Sequence, residues 1–280
     1  MSRLARLTLP IFVGLFVQGA SAQIPQINLG GIVNGASFAT GVAVAPGSIA
    51  SAFGSTFGSS GSGVTLRMNG IVAPLFAVTP GQINFQVPWE LAGQSQASVT
   101  VTVGGITSSP VTVALAPYGP GIFVASASGQ GAVLIANTAS VAAPEGVFPG
   151  SRRANPGEFI SIFSTGLGSA TNQPTTGVLA PGNPPSTTIV TPAATIGGVP
   201  ATVGFSGLAP GFSGLYQINV QVPSNAPTGD YVPLILSIGG GVSNKVTIAI
   251  TPPPCPKGGP RPFAQVQSIA VTQSTHQTST

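Results

Sequence analysis

The chain has 280 residues, and only 4% of them are charged, far below the usual quarter. The formal net charge of +4 reflects a shortage of acids, with 8 Lys and Arg against 4 Asp and Glu, and only Arg152 and Arg153 are adjacent. Nucleic-acid binding requires clustered basic side chains, so the composition argues against that class of partner. The single cysteine, Cys255, excludes an intramolecular disulfide. Hydrophobic residues make up 42% of the chain, enough to bury a core without the help of a disulfide bond.

The first 22 residues have the pattern of a secretory signal peptide. Arg3 and Arg6 precede an apolar run over Leu7–Val17, and Ala20–Ala22 supplies small residues for cleavage. A transmembrane anchor is the alternative, but the run is shorter than the roughly 20 apolar residues that span a bilayer. We predict a mature chain that begins at Gln23, has no transmembrane anchor, and is secreted or held at the cell surface.

A seven-residue phrase occurs twice, as QINFQVP from Gln82 to Pro88 and as QINVQVP from Gln217 to Pro223. Apolar and amide residues alternate in both copies, as in a strand with one buried face. The side chains predicted to point inward are Ile83, Phe85, Val87, Ile218, Val220 and Val222. Those predicted to point outward are Gln82, Asn84, Gln86, Gln217, Asn219 and Gln221.

The repeat extends on both sides of this phrase. Glycine pairs at Gly104–Gly105 and at Gly239–Gly240 follow alternating strands at the same offset, and glycine accepts the positive φ of tight hairpin turns. Upstream, the second copy contains insertions, and the longest lies around Thr171–Ser186, a segment rich in Pro, Gly and Asn. Insertions confined to loops are expected for a duplicated strand framework.

Each copy has about seven short strands separated by turns, which is typical of an immunoglobulin-like β-sandwich. We therefore predict an all-β protein with two tandem immunoglobulin-like β-sandwiches. The predicted domains are a signal peptide (1–22), sandwich 1 (23–123), sandwich 2 with longer loops (124–251), and a Pro-rich spacer with a disordered tail (252–280).

Several motifs resemble a known group of sequences: NGASF, MNGIVAPLF and TPGQINFQVPWEL in the first copy, and IGGVPATV and GLYQINVQVP in the second. They resemble an uncharacterised bacterial module that is usually found at the C-termini of long secreted proteins. That module is similar to the IPT/TIG group of immunoglobulin-like domains. The resemblance covers about residues 31–251 and implies an extracellular all-β tandem, with no known catalytic residues to transfer.

The inventory of reactive side chains is small. The only histidine, His276, lies in the polar tail, where no imidazole is positioned for nucleophilic catalysis. The four acids are Glu90, Glu145, Glu158 and Asp230, and their spacing matches no calcium loop and proposes no glycosidase pair. We predict a non-enzyme with no cofactor and no metal site.

Three surface features have both a functional and a structural interpretation. Trp89 and the nearby Tyr118 are candidate contacts for a sugar ring or a partner protein. Alternatively, Trp89 covers the end of the first sandwich or lies in the seam between the domains. The Gln-Asn-Gln faces are either amide ladders for glycans or another sheet, or solvated faces with lateral hydrogen bonds. Arg152 and Arg153 either meet an anionic envelope surface or keep a loop soluble.

These observations support two hypotheses. The favoured one is an exported, non-enzymatic structural or interaction module that mediates extracellular or cell-surface protein contacts. The alternative is a carbohydrate-binding module of the same fold that uses an exposed aromatic side chain such as Trp89. The partner is accordingly an extracellular protein or a cell-surface glycan.

Cleavage after Ala22 is directly testable, because the exported protein should begin at Gln23. N-terminal sequencing of protein recovered from outside the cytoplasm checks this expectation. A recovered chain that still begins with Met1 would contradict it.

Overall fold

The computed structural model describes residues 23–253, so the predicted signal peptide, Cys255, His276 and all but the first two residues of the predicted spacer and tail lie outside it. Within that range the chain forms 18 β-strands and one short 3-10 turn at Trp89–Leu91, with no α-helix. The strands of the first half are β1 (Gln26–Asn34), β2 (Ile49–Ser55), β3 (Val64–Met68), β4 (Ile71–Ala73), β5 (Leu75–Thr79), β6 (Gln82–Gln86), β7 (Gln96–Val103), β8 (Ile106–Thr107) and β9 (Val111–Ala114). Those of the second half are β10 (Gly121–Ile122), β11 (Val133–Ile135), β12 (Phe159–Thr165), β13 (Ala193–Ile196), β14 (Val199–Leu208), β15 (Tyr216–Gln221), β16 (Gly229–Ile238), β17 (Gly241–Val242) and β18 (Val246–Ile250).

The first half is a sandwich of two antiparallel sheets. One sheet has the strand order β1-β2-β6-β5, and the other has the order β4-β3-β7, with β8 and β9 both paired to β7. Apart from the short strands β4 and β8, this is the arrangement in which strands A, B, E and D face strands C, F and G in immunoglobulin domains. The core between the sheets combines Phe85 from one sheet with Leu66 and Val101 from the other. The prediction of an all-β, immunoglobulin-like fold is confirmed.

The second half repeats this topology with two differences: two short strands, β10 and β11, pair with β12 where the first half has the single strand β1, and one strand joins the two layers. Its strands form one hydrogen-bonded path, β10-β12-β15-β14-β13-β16-β17, with β11 on β12 and β18 on β16. The ten-residue β14 joins the two layers, because its residues 199–201 pair with β13 and residues 202–208 pair with β15. In the first half, Pro74 separates the corresponding strands β4 and β5. Proline has no backbone N–H to donate to a sheet ladder, although its carbonyl accepts from the Gln86 N–H at 2.9 Å.

The repeated phrase occupies the same place in both sandwiches. It forms β6 and β15, each hydrogen-bonded to a strand on both sides. All six side chains predicted to point inward are fully buried: Ile83, Phe85, Val87, Ile218, Val220 and Val222. Two-residue hairpin turns also recur, at Asn69–Gly70 with φ of 47° and 82° and at Gly197–Gly198 with φ of 61° and 82°. Both residues of such a turn need positive φ, hence the Asn-Gly and Gly-Gly pairs.

The connection between the sandwiches is short. The last strand of the first sandwich ends at Ala114, and β10 pairs with β12 from Gly121 onward. The second sheet therefore starts three residues before the boundary predicted after residue 123. Each sandwich has its own hydrophobic core, with one exception at Trp89, which is described below.

Phe85→Ala tests the first core, because the phenyl ring is fully buried. We expect the free energy of unfolding to fall by about 3–5 kcal/mol, the usual loss for a buried phenylalanine. Chemical denaturation measures it, with the exposed Thr112→Ser on β9 as a control that should stay within about 0.5 kcal/mol of the parent. Equal effects of the two substitutions would contradict the assignment of β6 as a core strand.

Candidate functional site

Trp89 lies in the seam between the two sandwiches. It follows β6 through Pro88 and is only 6% exposed. Its indole belongs to the hydrophobic core of the second sandwich, although the residue itself comes from the first. A Cβ atom at Gly47 would lie 2.1 Å from the indole ring, so only glycine fits beneath it. The alternative that places Trp89 in the seam is therefore confirmed, and the exposed Trp89 assumed by the carbohydrate hypothesis is wrong.

Gln86 also lies in the seam, against the prediction that it faces solvent. Its side chain is 1% exposed, and its Oε1 accepts hydrogen bonds from the Gly177 backbone N–H at 2.7 Å and the Ser213 hydroxyl at 2.8 Å. The prediction failed because the insertion over residues 171–186 folds back onto the first sandwich and covers this end of the amide face. The alternation of the strand is correct, but the outward side meets protein rather than water.

Further hydrogen bonds join the sandwiches along the seam. The Asn34 side-chain amide donates to the Gly119 carbonyl at 2.7 Å. The Thr165 hydroxyl accepts from the Ile49 N–H at 2.7 Å and donates to the Gly214 carbonyl at 2.8 Å. Together with the shared core at Trp89, these contacts fix the orientation of one sandwich relative to the other.

Hydrogen bonds hold the inserted loop (residues 171–186) beside Trp89. The hydroxyl of Thr176 accepts a hydrogen bond from the Trp89 backbone N–H at 2.9 Å and donates to the Glu90 carboxylate at 2.7 Å. This places Glu90, one of the four acids, in a structural contact rather than a reactive one.

An apolar groove of about 510 Å³ runs along the seam. One wall comes from the first sandwich (Ile49, Pro74, Leu75, Phe76, Asn84) and the other from the second (Gly177, Leu179, Gly211, Phe212, Ser213, Leu215). Phe76 is 45% exposed, Leu179 59% and Phe212 55%, so three large apolar side chains border the groove. No local sequence pattern identifies these residues, because they meet only when the inserted loop and the β14–β15 loop reach the first sandwich.

Tyr118 lines a second cavity at the seam, which we name the Tyr118 cleft, of about 520 Å³. Its walls include Pro46, Leu115, Pro117 and Ile189. The tyrosine ring rests on two glycines of the second sandwich, since a Cβ at Gly168 or Gly239 would lie 2.6 or 2.2 Å from ring carbons. Tyr118 is half-buried, and Trp89 is not among the residues that line this cleft, although both contact the core of the second sandwich.

The two outer faces of the repeated strand carry the same hydrogen-bond arrangement. In the first sandwich, Asn84 Oδ1 accepts from the Ser51 hydroxyl at 2.8 Å and from Gln82 Nε2 at 2.7 Å. In the second, Asn219 Oδ1 accepts from the Ser161 hydroxyl and from Gln217 Nε2, both at 2.9 Å. We call these the first amide face (Ser51, Gln82, Asn84, Gln86, with Phe53 and Phe76) and the second amide face (Ser161, Gln217, Asn219, Gln221, with Phe159, Phe163 and Phe205).

Both adjacent arginines pair with carboxylates. Arg152 contacts Glu158 at 2.5 Å, and Arg153 contacts Asp230 at 2.6 Å. The hydrogen bonds from Arg152 lower the pKa of Glu158, and Glu158 in turn raises the pKa of Arg152. These are ordinary surface pairs, and they favour the interpretation of Arg152 and Arg153 as structural loop charges. Residues 23–253 contain no group of three His, Cys, Asp or Glu side chains placed to hold a metal ion.

One more titratable group is buried in the second core. Burial raises the pKa of the Tyr216 phenol, which therefore stays protonated and donates a hydrogen bond to the Gly168 carbonyl. This bond anchors the segment on which Tyr118 rests. Among the residues that the structure describes, no helix is long and apolar enough to cross a membrane.

Comparisons with known proteins give distant likenesses only. No family model matches the chain, and no curated protein matches it. One similar solved structure is SGBP-B of a Bacteroides ovatus mixed-linkage glucan utilisation locus, 11% identical over 83% of this chain and 47% of that chain, with a TM-score of 0.34. Another is the S-layer protein SbsC, domains 5–6, 12% identical over 81% of this chain and 98% of that chain, with a TM-score of 0.28.

The extracellular region of plexin A4 is also similar, with 10% identity, a TM-score of 0.30, and coverage of 83% of this chain and 16% of that chain. The chain spans between 16% and 41% of the length of the first solved chains that it matches. Likenesses at this level do not bear on function, and the assignment of the fold rests on the strand order described above.

The contacts in the seam predict different stability effects for the same substitution at two equivalent glutamines, Gln86 and Gln221. Gln86→Ser should lower the free energy of unfolding by about 1–3 kcal/mol, because it leaves the Gly177 N–H and the buried Ser213 hydroxyl without their acceptor. Gln221→Ser, at the same place in the second sandwich, should cost less than about 0.5 kcal/mol, since Gln221 is half-exposed and donates only to the Gly157 carbonyl. Thermal melts of both variants check the difference, and similar melting temperatures would contradict the role of Gln86 in the seam.

Proposed function

We propose that this chain is an exported, non-enzymatic interaction module that holds an apolar segment of an extracellular or cell-surface protein in the groove between its two sandwiches. The observation that carries this proposal is the exposure of Phe76, Leu179 and Phe212 around one groove. Large apolar side chains gathered at a concave surface are typical anchor positions for a protein partner.

The construction of the groove supports this function. Its walls come from two domains whose orientation is fixed by the Trp89 core and by the Gln86 and Thr165 hydrogen bonds. A groove that is already formed does not have to be ordered when the partner arrives, so less of the binding free energy is lost.

The chemistry of the lining points to an uncharged partner segment. None of the lining side chains is ionisable, so the groove offers no counter-charge to a desolvated Lys or Glu. The Nδ2 group of Asn84 donates to no acceptor among the described residues and is available for a backbone carbonyl of the bound segment. A segment with Leu, Phe or Met side chains fits these walls best.

The remaining assignments rest on the sequence. The pattern of residues 1–22 supports export and a secreted or surface location, and the motifs over residues 31–251 support an IPT/TIG-like tandem with domains near 23–123 and 124–251. The sequence offers no positioned imidazole and no paired acids, which supports a binding role rather than catalysis. Tyr118 remains a proposed contact residue, because its half-buried ring lines its own cleft.

A displayed peptide library tests the groove. Peptides selected on residues 23–280 should be rich in large apolar side chains and should bind at least about tenfold more weakly to Phe212→Ser, a loss of about 1.4 kcal/mol. The control is Tyr231→Ser, which removes a 73% exposed aromatic outside the groove and should leave the affinity unchanged. Selected peptides that bind equally well to both variants would contradict the groove as the binding site.

A further inference from the structure

The second amide face repeats the first in detail but is not covered in the same way. In both sandwiches a serine hydroxyl and a glutamine Nε2 donate to the Oδ1 of the central asparagine. These two bonds hold the carboxamide of Asn219 in one orientation, with Nδ2 as a pair of donors. Across residues 23–253, Asn219 Nδ2 makes no hydrogen bond, and Oε1 of Gln217 and of Gln221 accepts none.

Three phenylalanines border this row of amides. Phe159 lies opposite Gln221 across the β12–β15 pair, Phe163 opposite Gln217, and Phe205 opposite Asn219 on the other side. Residues directly opposite in an antiparallel pair lie on the same face, so the rings and the amides share one surface.

Glycines on β14 make room for two of the rings. A Cβ at Gly204 would lie 3.0 Å from the ring of Phe159, and a Cβ at Gly207 would lie 2.8 Å from Phe205 Cζ. The rings therefore rest over β14 instead of being held away from it by side chains. The result is one platform on which aromatic surface alternates with amide donors and acceptors.

The first sandwich shows which chemical groups a glutamine side chain at the end of the repeated strand can bind. There Gln86, the counterpart of Gln221, accepts the hydroxyl of Ser213 and the N–H of Gly177 with its Oε1. Gln221 Nε2 donates to the Gly157 carbonyl at 3.0 Å, and Gln86 Nε2 lies 3.5 Å from the equivalent Gly47 carbonyl. The carboxamide is thus held in the same way in both domains, and only in the second does its oxygen remain available to a ligand.

We propose that the second amide face binds a neutral oligosaccharide. Sugar hydroxyls both donate and accept, which suits a surface that offers free N–H donors at Asn219 and free carbonyl oxygens at Gln217 and Gln221. Sugar rings stack on aromatic surface, which the phenylalanines supply. No side chain of the face is ionisable, so nothing on it pairs with an acidic or basic ligand.

The size of the platform indicates more than one sugar ring. Phe159 and Phe163 are four residues apart on one strand, which corresponds to roughly 13 Å at the usual rise per residue. This site shares no residue with the proposed protein-binding groove in the seam, which includes Phe76 and Asn84 of the first amide face. Loss of one activity therefore leaves the other measurable.

Isothermal titration of residues 23–280 with cellohexaose, laminarihexaose, xylohexaose and mannohexaose tests the proposal, with polygalacturonate as a charged probe. At least one neutral hexasaccharide should bind, and Asn219→Asp should weaken that binding tenfold or more. The substitution keeps the oxygen that accepts from Ser161 and Gln217 but removes the free donors, so the fold should persist with a similar melting temperature. Phe205→Leu, which removes aromatic surface but stays apolar, should weaken binding as well.

The matched control is Asn84→Asp, the same change in the first amide face, which should leave hexasaccharide binding unchanged, as should Phe212→Ser in the groove. Several results would overturn the proposal: no binding of any neutral hexasaccharide, tighter binding of polygalacturonate, or equal losses for Asn84→Asp and Asn219→Asp. Sedimentation velocity supplies the remaining test. If the protein self-associates and Asn219→Asp abolishes that association, the face is a contact between copies and not a glycan site.

Discussion

The burial of one tryptophan in the core of the neighbouring domain is the constraint on which the arrangement of the two sandwiches depends. Trp89 leaves the first sandwich at the end of its central strand and packs into the core of the second. Its ring requires Gly47 beneath it, and its backbone N–H is bound by the inserted loop through Thr176. Removing the indole would open a cavity in the core of the second domain, while the backbone N–H of residue 89 would still be available to Thr176. The apolar groove and the Tyr118 cleft both lie along the seam that this packing closes.

Duplication followed by divergence explains why two nearly identical strands have different surroundings. The hydrogen bonds of Asn84 and Asn219 match within 0.2 Å, so the outer face was preserved as a unit in both copies. What differs is the residue after the phrase, Trp89 in one copy and Ser224 in the other, together with the loop inserted at residues 171–186. The same glutamine is consequently a buried seam residue at position 86 and a half-exposed residue at position 221.

The sequence was sufficient to predict the fold but not the seam, for a physical reason. Period-two alternation and the Gly-Gly and Asn-Gly turns are local signals, and they correctly predicted the inward residues of β6 and β15. Whether an outward residue meets water or another domain depends on where a distant loop comes to rest, and no local pattern carries that information. Gln86 and Asn84 belong to the same alternating face, yet only Gln86 lies beneath Gly177 and Ser213. Phe76 and Phe212, separated by more than one hundred residues, looked unrelated in the sequence for the same reason.

The low content of charged residues can be related to the side chains that the structure places on the surface. The described acids are largely occupied by structural contacts, with Glu158 and Asp230 paired to arginines and Glu90 bound to Thr176. The groove and the second amide face instead carry amides, hydroxyls and apolar rings, whose interactions are little affected by salt compared with those of ion pairs. The proposed export would expose the protein to variable ionic strength, and binding through such groups would change little with it. Neutral surfaces also lack long-range electrostatic steering, so association should be governed by diffusion and shape rather than by attraction at a distance. Selectivity in such a molecule has to come from fixed geometry. That geometry is provided by the packing of Trp89 in the seam and by the hydrogen bonds from a serine and a glutamine to each of the two asparagines, Asn84 and Asn219.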